Sequence, residues 1–128
     1  KIQTAQGQTL VYIQHAEIAD EIVGFVAMGK CRDNDLAQAV VGEVYAIYLR
    51  PDCWGKGYGA ALLAAAVARL QAQGYPVITL WVLDGNQRAM RFYEAAGFHA
   101  DGRTQEETLP GGIAVRELRY RRALTVNL

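Results

Sequence analysis

The chain has 128 residues, which favours one domain with a closed core. Its 13 basic and 13 acidic side chains give a formal net charge of zero, so charge indicates neither a nucleic-acid nor a membrane partner, and no apolar run is long enough to span a bilayer. Cys31 and Cys53 lack metal-ligand spacing, so we predict no metal site and expect reduced thiols in a cytoplasmic protein.

Residues rich in β-branched and aromatic side chains predict two strands near the start of the chain. Residues 1–8 are polar and carry no pattern, whereas residues 9–17 and 22–30 have the composition of strands. A short turn over residues 18–21 joins the two strands into a predicted hairpin. A polar loop over residues 31–39 follows.

One strand is predicted at the centre of the fold. Residues 40–49 are apolar on both faces, which is typical of a strand that is covered on both sides. Glu43 is the one charged residue within this strand, and a buried carboxylate is costly unless it is paired or reaches water. Glu43 is therefore a candidate functional residue. The alternative is a carboxylate at the end of the strand that faces solvent.

A helix and a second buried strand follow the central strand. Residues 57–73 place apolar side chains at helical spacing, and Gly74 and Pro76 end the predicted helix. Residues 77–83 are again fully apolar, which predicts a strand parallel to residues 40–49. Such a strand–helix–strand unit requires a right-handed crossover.

The last quarter of the chain predicts one more helix and two more strands. Asn86 is well suited to cap a helix over residues 87–96. Residues 98–103 and 114–121 are predicted strands, with a polar loop between them. A solvent-exposed strand edge explains the basic residues of this region, because charges protect edges. These residues are Arg116, Arg119, Arg121 and Arg122.

Glycines between the central strand and the first helix indicate an anion site. Gly55, Gly57 and Gly59 allow backbone N–H groups to approach a ligand closely, and the start of a helix adds unpaired N–H groups and partial positive charge. The natural anion is a phosphate or a pyrophosphate. The alternative is a glycine-rich turn that only precedes a helix.

The same turn formally matches the dinucleotide fingerprint G-x-G-x-x-G/A over residues 55–60, whereas no Lys-Ser/Thr pair completes a P-loop. A strand, this turn, a helix, a second strand and Asp84 follow in the order of a nicotinamide-binding unit. However, residues 50–54 separate the strand from the fingerprint, and the chain is too short for two mononucleotide-binding halves. An NAD-binding oxidoreductase of the Rossmann type therefore stays open as an alternative.

Two motifs together resemble the GNAT superfamily of acyl-CoA-dependent N-acyltransferases, over most of the chain. The family's phosphate motif, Gln/Arg-x-x-Gly-x-Gly/Ala, falls on residues 54–59, where Trp54 replaces the usual Gln or Arg. The second signature is an Asn, then a Phe-Tyr pair further along one helix, then Gly-Phe. In this sequence it consists of Asn86, Ala89, Phe92, Tyr93, Gly97 and Phe98. Two independent signatures at the proper separation are much more specific than either alone.

The resemblance implies an α/β fold of a single domain over residues 1–128. Its sheet is mixed and mostly antiparallel, with a central splayed parallel strand pair and flanking helices. Members of the family usually begin with a strand and one or two helices that wall the amine pocket. Residue 9 resembles the start of the family's second strand, so we expect that segment to be absent from the chain or disordered. Members often pair through strand edges, which leaves a homodimer open.

The resemblance also implies how acetyl-CoA binds as a co-substrate. The pantetheine arm inserts between the splayed strands and pairs with the backbone of residues 47–49, and the pyrophosphate rests on the amides of residues 55–60. Asn86 reaches the pantetheine, caps its helix, or does both. The implied cofactor-binding residues are Ile47, Tyr48, Leu49, Trp54, Gly55, Lys56, Gly57, Tyr58, Gly59, Ala60, Asn86, Ala89, Phe92 and Tyr93.

Acyl transfer to a primary amine requires a general base, because the amine is mostly protonated near neutral pH. Glu43 lies four residues before Ile47, which matches the base position of the family. A backbone N–H of Tyr48 or Leu49 is the expected donor to the oxyanion. Tyr93 matches the general acid that protonates the leaving thiolate, and the alternative role for Tyr93 is that of a core aromatic.

The first hypothesis is an N-acetyltransferase that transfers the acetyl group of acetyl-CoA to a primary amine by direct attack in a ternary complex. The alternative from another class is a non-catalytic acyl-CoA-binding sensor or scaffold module, and the NAD-binding oxidoreductase is the third. The acceptor stays open among small molecules, peptides and proteins. Tyr12, Tyr45 and Trp81 either line its pocket or belong to the core.

Overall fold

The computed structural model describes residues 1–6, 8–14 and 20–124 of the chain. The helices of this described part are α1 (Tyr58–Ala72) and α2 (Gln87–Ala95), and neither is long and apolar enough to cross a membrane. The strands are β1 (Ile2–Gln6), β2 (Thr9–Gln14), β3 (Glu21–Lys30), β4 (Val41–Leu49), β5 (Val77–Leu83), β6 (His99–Thr108) and β7 (Ala114–Ala123). They form one sheet in the order β1-β2-β3-β4-β5-β7-β6.

The sheet confirms the predicted fold class. Each pair of neighbouring strands is antiparallel except β4 and β5, which are parallel. A dinucleotide-binding sheet is instead mostly parallel, with helices on both faces. The described strands therefore do not form the Rossmann arrangement that the glycine fingerprint left open.

The predicted elements are present, and the structure adds one strand. β1 lies in residues whose polar sequence carries no strand pattern, and it forms by pairing with β2, Ile2 opposite Tyr12. An edge strand with exposed side chains needs no alternation of apolar residues, so the sequence gives little indication of it. Residues 15–17 of the first predicted strand and residues 18–19 of the turn lie outside the described residues.

The parallel strands β4 and β5 are splayed, as predicted. Their pairing consists of Val41 with Val77, Gly42 with Ile78, and Glu43 with Thr79. Beyond this point the two strands diverge, although β4 continues to Leu49 and β5 to Leu83. The register between β3 and β4 shifts by one residue at Tyr45. Such a bulge bends a strand and increases its twist, which accounts for the divergence of β4 from β5.

One hydrophobic core fixes both helices against the sheet. α1 packs on β2, β3 and β4 through its fully buried face, and half-buried residues of α2 pack against the same cluster. Both helices therefore lie on the same side of the sheet. Each fully buried leucine contributes about 1.5–3 kcal/mol. The buried residues of α1 are Leu62, Leu63, Ala66, Val67 and Leu70.

The prediction that the arginines of β7 lie on a solvent-exposed strand edge is wrong, and Arg119 departs from it furthest. β7 lies between β5 and β6, because β6 is longer than predicted and covers the far edge of β7. Arg119 is only 5% exposed. Its guanidinium forms ion pairs with Asp101 at 2.6 Å, Asp35 at 2.9 Å and Asp33 at 3.2 Å. A buried arginine is stable here because three carboxylates balance its charge.

Candidate active site

A cavity of about 560 Å³ lies between the end of β4, the glycine turn before α1 and the start of α2. Its wall contains all the predicted cofactor-binding residues except Lys56 and Tyr58, and it also contains Arg88. The lining residues are Ile47, Tyr48, Leu49, Trp54, Gly55, Gly57, Gly59, Ala60, Asn86, Arg88, Ala89, Phe92 and Tyr93.

The turn that leads into α1 needs glycine for its backbone conformation. Gly55 and Gly57 have φ angles of +79° and +82°, where a side chain is strained, and a Cβ on either would contact nothing within 4 Å. Gly57 is the N-cap of α1, and no side chain caps the helix. Gly57, Gly59 and Ala60 line the cavity, so the start of α1 lies beside it with no side-chain acceptor among the described residues, an arrangement that suits an anion.

The end of β4 presents to this cavity a backbone edge that no described strand pairs with. The Arg50 N–H donates to the Val23 carbonyl of β3 at 2.8 Å. Backbone groups of alternate residues point to opposite sides of a strand. The main chain of Tyr48 therefore also faces β3, whereas those of Ile47 and Leu49 face the gap towards β5. In agreement, the Leu49 carbonyl accepts a 2.8 Å bond from the Trp54 indole rather than from a strand.

The wall of the cavity is cationic. It contains no Asp or Glu, and Arg88 contributes a guanidinium that lies 3.9 Å from the centre of the Trp54 ring. Within the described ranges, neither Arg88 nor the exposed Lys56 forms an ion pair. An anionic ligand would therefore meet uncompensated positive charge. Arg88 is not among the predicted site residues, although a cation in the first turn of a helix opposes the helix dipole and is a signal in the sequence.

The start of α2 places its signature residues on the opposite wall. Asn86 caps α2 by accepting a 3.2 Å hydrogen bond from the Ala89 N–H, and both residues line the cavity. Phe92 approaches α1, because a Cβ on Gly59 would lie 3.6 Å from its ring. Asn86 therefore acts as a cap and also faces the cavity.

Tyr93 lines the cavity and packs against two phenylalanines. Its ring makes edge contacts with Phe92 and Phe98, at centroid distances of 5.3 and 6.3 Å. No residue in the described part of the chain forms a hydrogen bond with its oxygen. Burial raises the pKa of the Tyr93 hydroxyl. This hydroxyl therefore carries its proton at neutral pH and can donate it into the cavity.

Glu43 lies apart from the cavity lining. The carboxylate is buried, with 3% of the residue exposed, and one of its oxygens accepts a 2.9 Å bond from the Arg32 backbone N–H. The Arg32 guanidinium lies 3.5 Å from the other oxygen. Glu43 also belongs to the last paired position of β4 and β5, opposite Thr79. It is therefore a paired, buried carboxylate at the fork between the two strands.

A second polar group of residues surrounds Asp33, next to a smaller pocket of about 250 Å³. Trp81 lines this pocket and donates its indole N–H to Asp33 at 3.1 Å. Potential ligand atoms of Cys31, Asp33 and Glu43 lie within 4.8 Å of one another. However, arginines already balance both carboxylates, and burial raises the pKa of the Cys31 thiol. This chemistry does not favour a metal ion.

The other two aromatic candidates for an acceptor pocket make packing contacts. Tyr12 stacks on Tyr58, with ring centroids 4.2 Å apart. Tyr45 donates its hydroxyl hydrogen to the Lys30 carbonyl, and its ring lies under the Arg32 guanidinium. Neither tyrosine lines the large cavity.

Comparison with known proteins agrees with this geometry. Residues 2–98 match the model of the acetyltransferase (GNAT) family. An uncharacterised N-acetyltransferase of Methanocaldococcus jannaschii is 33% identical over 82 residues, which cover 64% of this chain and 36% of that protein. A mycothiol acetyltransferase of Thermobispora bispora is 36% identical over 83 residues, which cover 65% of this chain and 28% of that protein.

A solved structure extends the likeness to the fold. A Salmonella typhimurium protein, determined with its cofactor acetyl-CoA, has a TM-score of 0.70 at 19% identity, over 94% of this chain and 66% of that one. The chain spans about a third of the length of these two curated relatives. The family model nevertheless covers well over half of the chain. The chain belongs to the GNAT acetyltransferase family.

Proposed function

We propose that this chain is an N-acetyltransferase domain that uses acetyl-CoA as co-substrate and acetylates a primary amine by direct attack in a ternary complex. The observation that carries the proposal is the splay of β4 from β5, which opens an unpaired backbone edge into a cavity that ends at the glycine turn. Pairing with a strand edge is how an extended amide-bearing ligand is recognised. The pantetheine arm of acetyl-CoA is such a ligand.

The cavity offers separate contacts to the two ends of acetyl-CoA. The main chain of Ile47 and the carbonyl of Leu49 face the gap and pair with the pantetheine amides, and the Leu49 N–H is kept for the thioester oxygen. The N–H groups at the start of α1 receive the pyrophosphate, and the exposed Lys56 adds positive charge near it. When bound, acetyl-CoA supplies an acetyl group activated as a thioester.

We assign the proton acceptor to Glu43, with water between this carboxylate and the amine. Glu43 does not line the cavity, so a proton has to reach it through at least one water molecule. The Arg32 backbone N–H holds the carboxylate in a fixed orientation. The Leu49 N–H is the oxyanion donor that we favour, because it faces the gap, whereas the Tyr48 N–H faces β3.

Tyr93 holds the proton that the departing thiolate takes up. Its hydroxyl is protonated at neutral pH and forms no hydrogen bond within the described structure, and the residue lines the cavity. A proton donor with no protein acceptor is available to a ligand. Tyr93 is therefore the general acid of the proposed reaction.

A second function, an acyl-CoA-binding module without turnover, is favoured by the environment of Glu43. A catalytic base has to exchange protons with its substrate, yet this carboxylate is buried and already bonded to Arg32. In a module of this kind Glu43 would only stabilise the loop after β3. Binding of acetyl-CoA would then have no chemical consequence.

Two measurements separate these functions. Isothermal titration with acetyl-CoA, with NAD titrated in parallel, tests for the cofactor. Release of free thiol over a panel of primary amines, from small molecules to peptides, then tests for turnover. We expect binding of acetyl-CoA and amine-dependent thiol release. Binding without thiol release for any amine would support the module, and binding of NAD without binding of acetyl-CoA would contradict both functions.

A further inference from the structure

Trp54 occupies the position where the family's phosphate motif carries Gln or Arg. A tryptophan has one N–H donor, and that of Trp54 is already bonded to the Leu49 carbonyl at 2.8 Å. The side chain therefore has no donor left for a phosphate. The residue is nevertheless 47% exposed and lines the cavity.

Arg88 has the charge that Trp54 lacks. It lies in the first turn of α2, where the helix dipole disfavours a cation, and no carboxylate in the described chain compensates it. The next arginine of the same helix, Arg91, is instead bonded to Gln87 at 3.2 Å and does not line the cavity. A cation that opposes the helix dipole and has no counter-ion in the described chain indicates an anionic ligand.

The two side chains act together. The Arg88 guanidinium lies 3.9 Å from the centre of the Trp54 ring, a cation–π contact that orients its plane. Both residues share the cavity wall with Gly55 and Gly57 of the anion-binding turn. A guanidinium held in this way presents paired N–H donors that match two phosphoryl oxygens.

We propose that Arg88, oriented by Trp54, binds the pyrophosphate of acyl-CoA in place of the motif side chain that position 54 usually supplies. The inference rests on the proposed function of the cavity and adds a residue to it from a different helix. Acyl-CoA also carries a 3′-phosphate, so the test has to distinguish the two phosphate groups.

The test is isothermal titration of the whole chain and its R88Q variant with CoA and with 3′-dephospho-CoA. We expect R88Q to weaken the binding of both ligands about tenfold at low salt, since charge-assisted hydrogen bonds are lost and the site is open to solvent. The matched control is R91Q, which removes the same charge from the same helix and should change neither affinity by more than about twofold. Thermal melts confirm that each variant is folded.

The outcomes are distinct. If R88Q and R91Q weaken binding equally, only the net charge matters and the inference fails. If the penalty of R88Q disappears with 3′-dephospho-CoA, Arg88 binds the 3′-phosphate, and the pyrophosphate assignment is overturned. If the unaltered chain binds neither ligand, the proposed function itself fails. If the unaltered chain binds both ligands and R88Q binds them equally well, the proposed function stands and the inference about Arg88 fails.

Substitution of Trp54 tests whether Arg88 replaces the phosphate contact of the usual side chain at position 54. W54Q restores a motif side chain whose amide donates to phosphate. We therefore expect the penalty of R88Q to shrink at least threefold in the W54Q background, as a double-mutant cycle for coupled residues. An equal penalty in both backgrounds would show that Arg88 does not substitute for the residue at position 54.

Discussion

Replacing Tyr93 with phenylalanine removes a single oxygen atom from the wall of the cavity. The ring contacts with Phe92 and Phe98 are retained, and the lost hydroxyl has no hydrogen-bond partner among the described residues. The free energy of unfolding should therefore change by no more than about 0.5 kcal/mol. Any large effect of the substitution on turnover then reports on chemistry rather than on folding.

We expect kcat to fall about 100-fold, because a general acid contributes roughly 10²–10⁴-fold. That loss corresponds to about 2.7 kcal/mol of transition-state stabilisation. KM for acetyl-CoA should change little. Since burial raises the pKa of Tyr93 above its ordinary value of about 10, the unaltered enzyme should lose activity only above that pH. The variant should lack this alkaline limb.

The assay is thiol release at saturating acetyl-CoA and amine, from neutral pH to the alkaline end of the stable range. Tyr75→Phe is the matched control, since Tyr75 also packs against the core but does not line the cavity. A Tyr93→Phe enzyme with unchanged kcat and an unchanged alkaline limb would refute the assignment of the acid. Tyr93 would then be a core aromatic, which was the alternative for this residue.

Three further predictions concern the base, the buried ion network and the glycine turn. Glu43→Gln should keep the bond from Arg32, lower kcat/KM about 100-fold and alter its pH profile; an unmoved profile means another base. Arg119→Ala should cost about 3 kcal/mol in urea unfolding, because buried carboxylates lose their partner; a loss below about 1 kcal/mol contradicts this. The Arg119 guanidinium also lowers the pKa of Asp35, so this pair's contribution should be present above about pH 4 and disappear as the pH falls further. Gly57→Ala should cost about 1 kcal/mol in thermal melts and also weaken CoA binding in titrations, whereas Gly74→Ala, with a similar φ of +92°, should cost only stability; equal CoA affinities would contradict a role for the turn in binding.

Local sequence signals predicted the elements that build the cavity. The apolar strands, the glycine turn and the capped second helix each follow from composition or spacing over fewer than 20 residues. The β5 prediction, residues 77–83, agrees with Val77–Leu83 at both ends. Pro76 and the turn at Asp84 flank this apolar segment directly, so the sequence predicts both ends of the strand.

The same local signals do not predict side-chain contacts between residues that are far apart in the sequence. Arg119 is one of several arginines close together in the sequence. The neighbouring residues do not indicate that three aspartates, 18 to 86 residues away, form ion pairs with it. Arg88 had one local signal, its positive charge in the first turn of α2, but its contact with Trp54 depends on how α2 meets the glycine turn. The bulge at Tyr45 could not be predicted either, because one extra residue in an apolar strand does not change the composition of that strand.

The position of Glu43 constrains how an amine approaches. A Cβ on its neighbour Gly42 would lie 3.2 Å from Tyr75 and 3.4 Å from Leu70 of α1, so that side of β4 faces the helices. Adjacent side chains of a strand point to opposite faces. Glu43 therefore points away from α1, at the last pair before β4 leaves β5. If Glu43 is the base, the amine has to enter from the sheet face opposite α1 and α2 and reach the thioester through the gap between these strands.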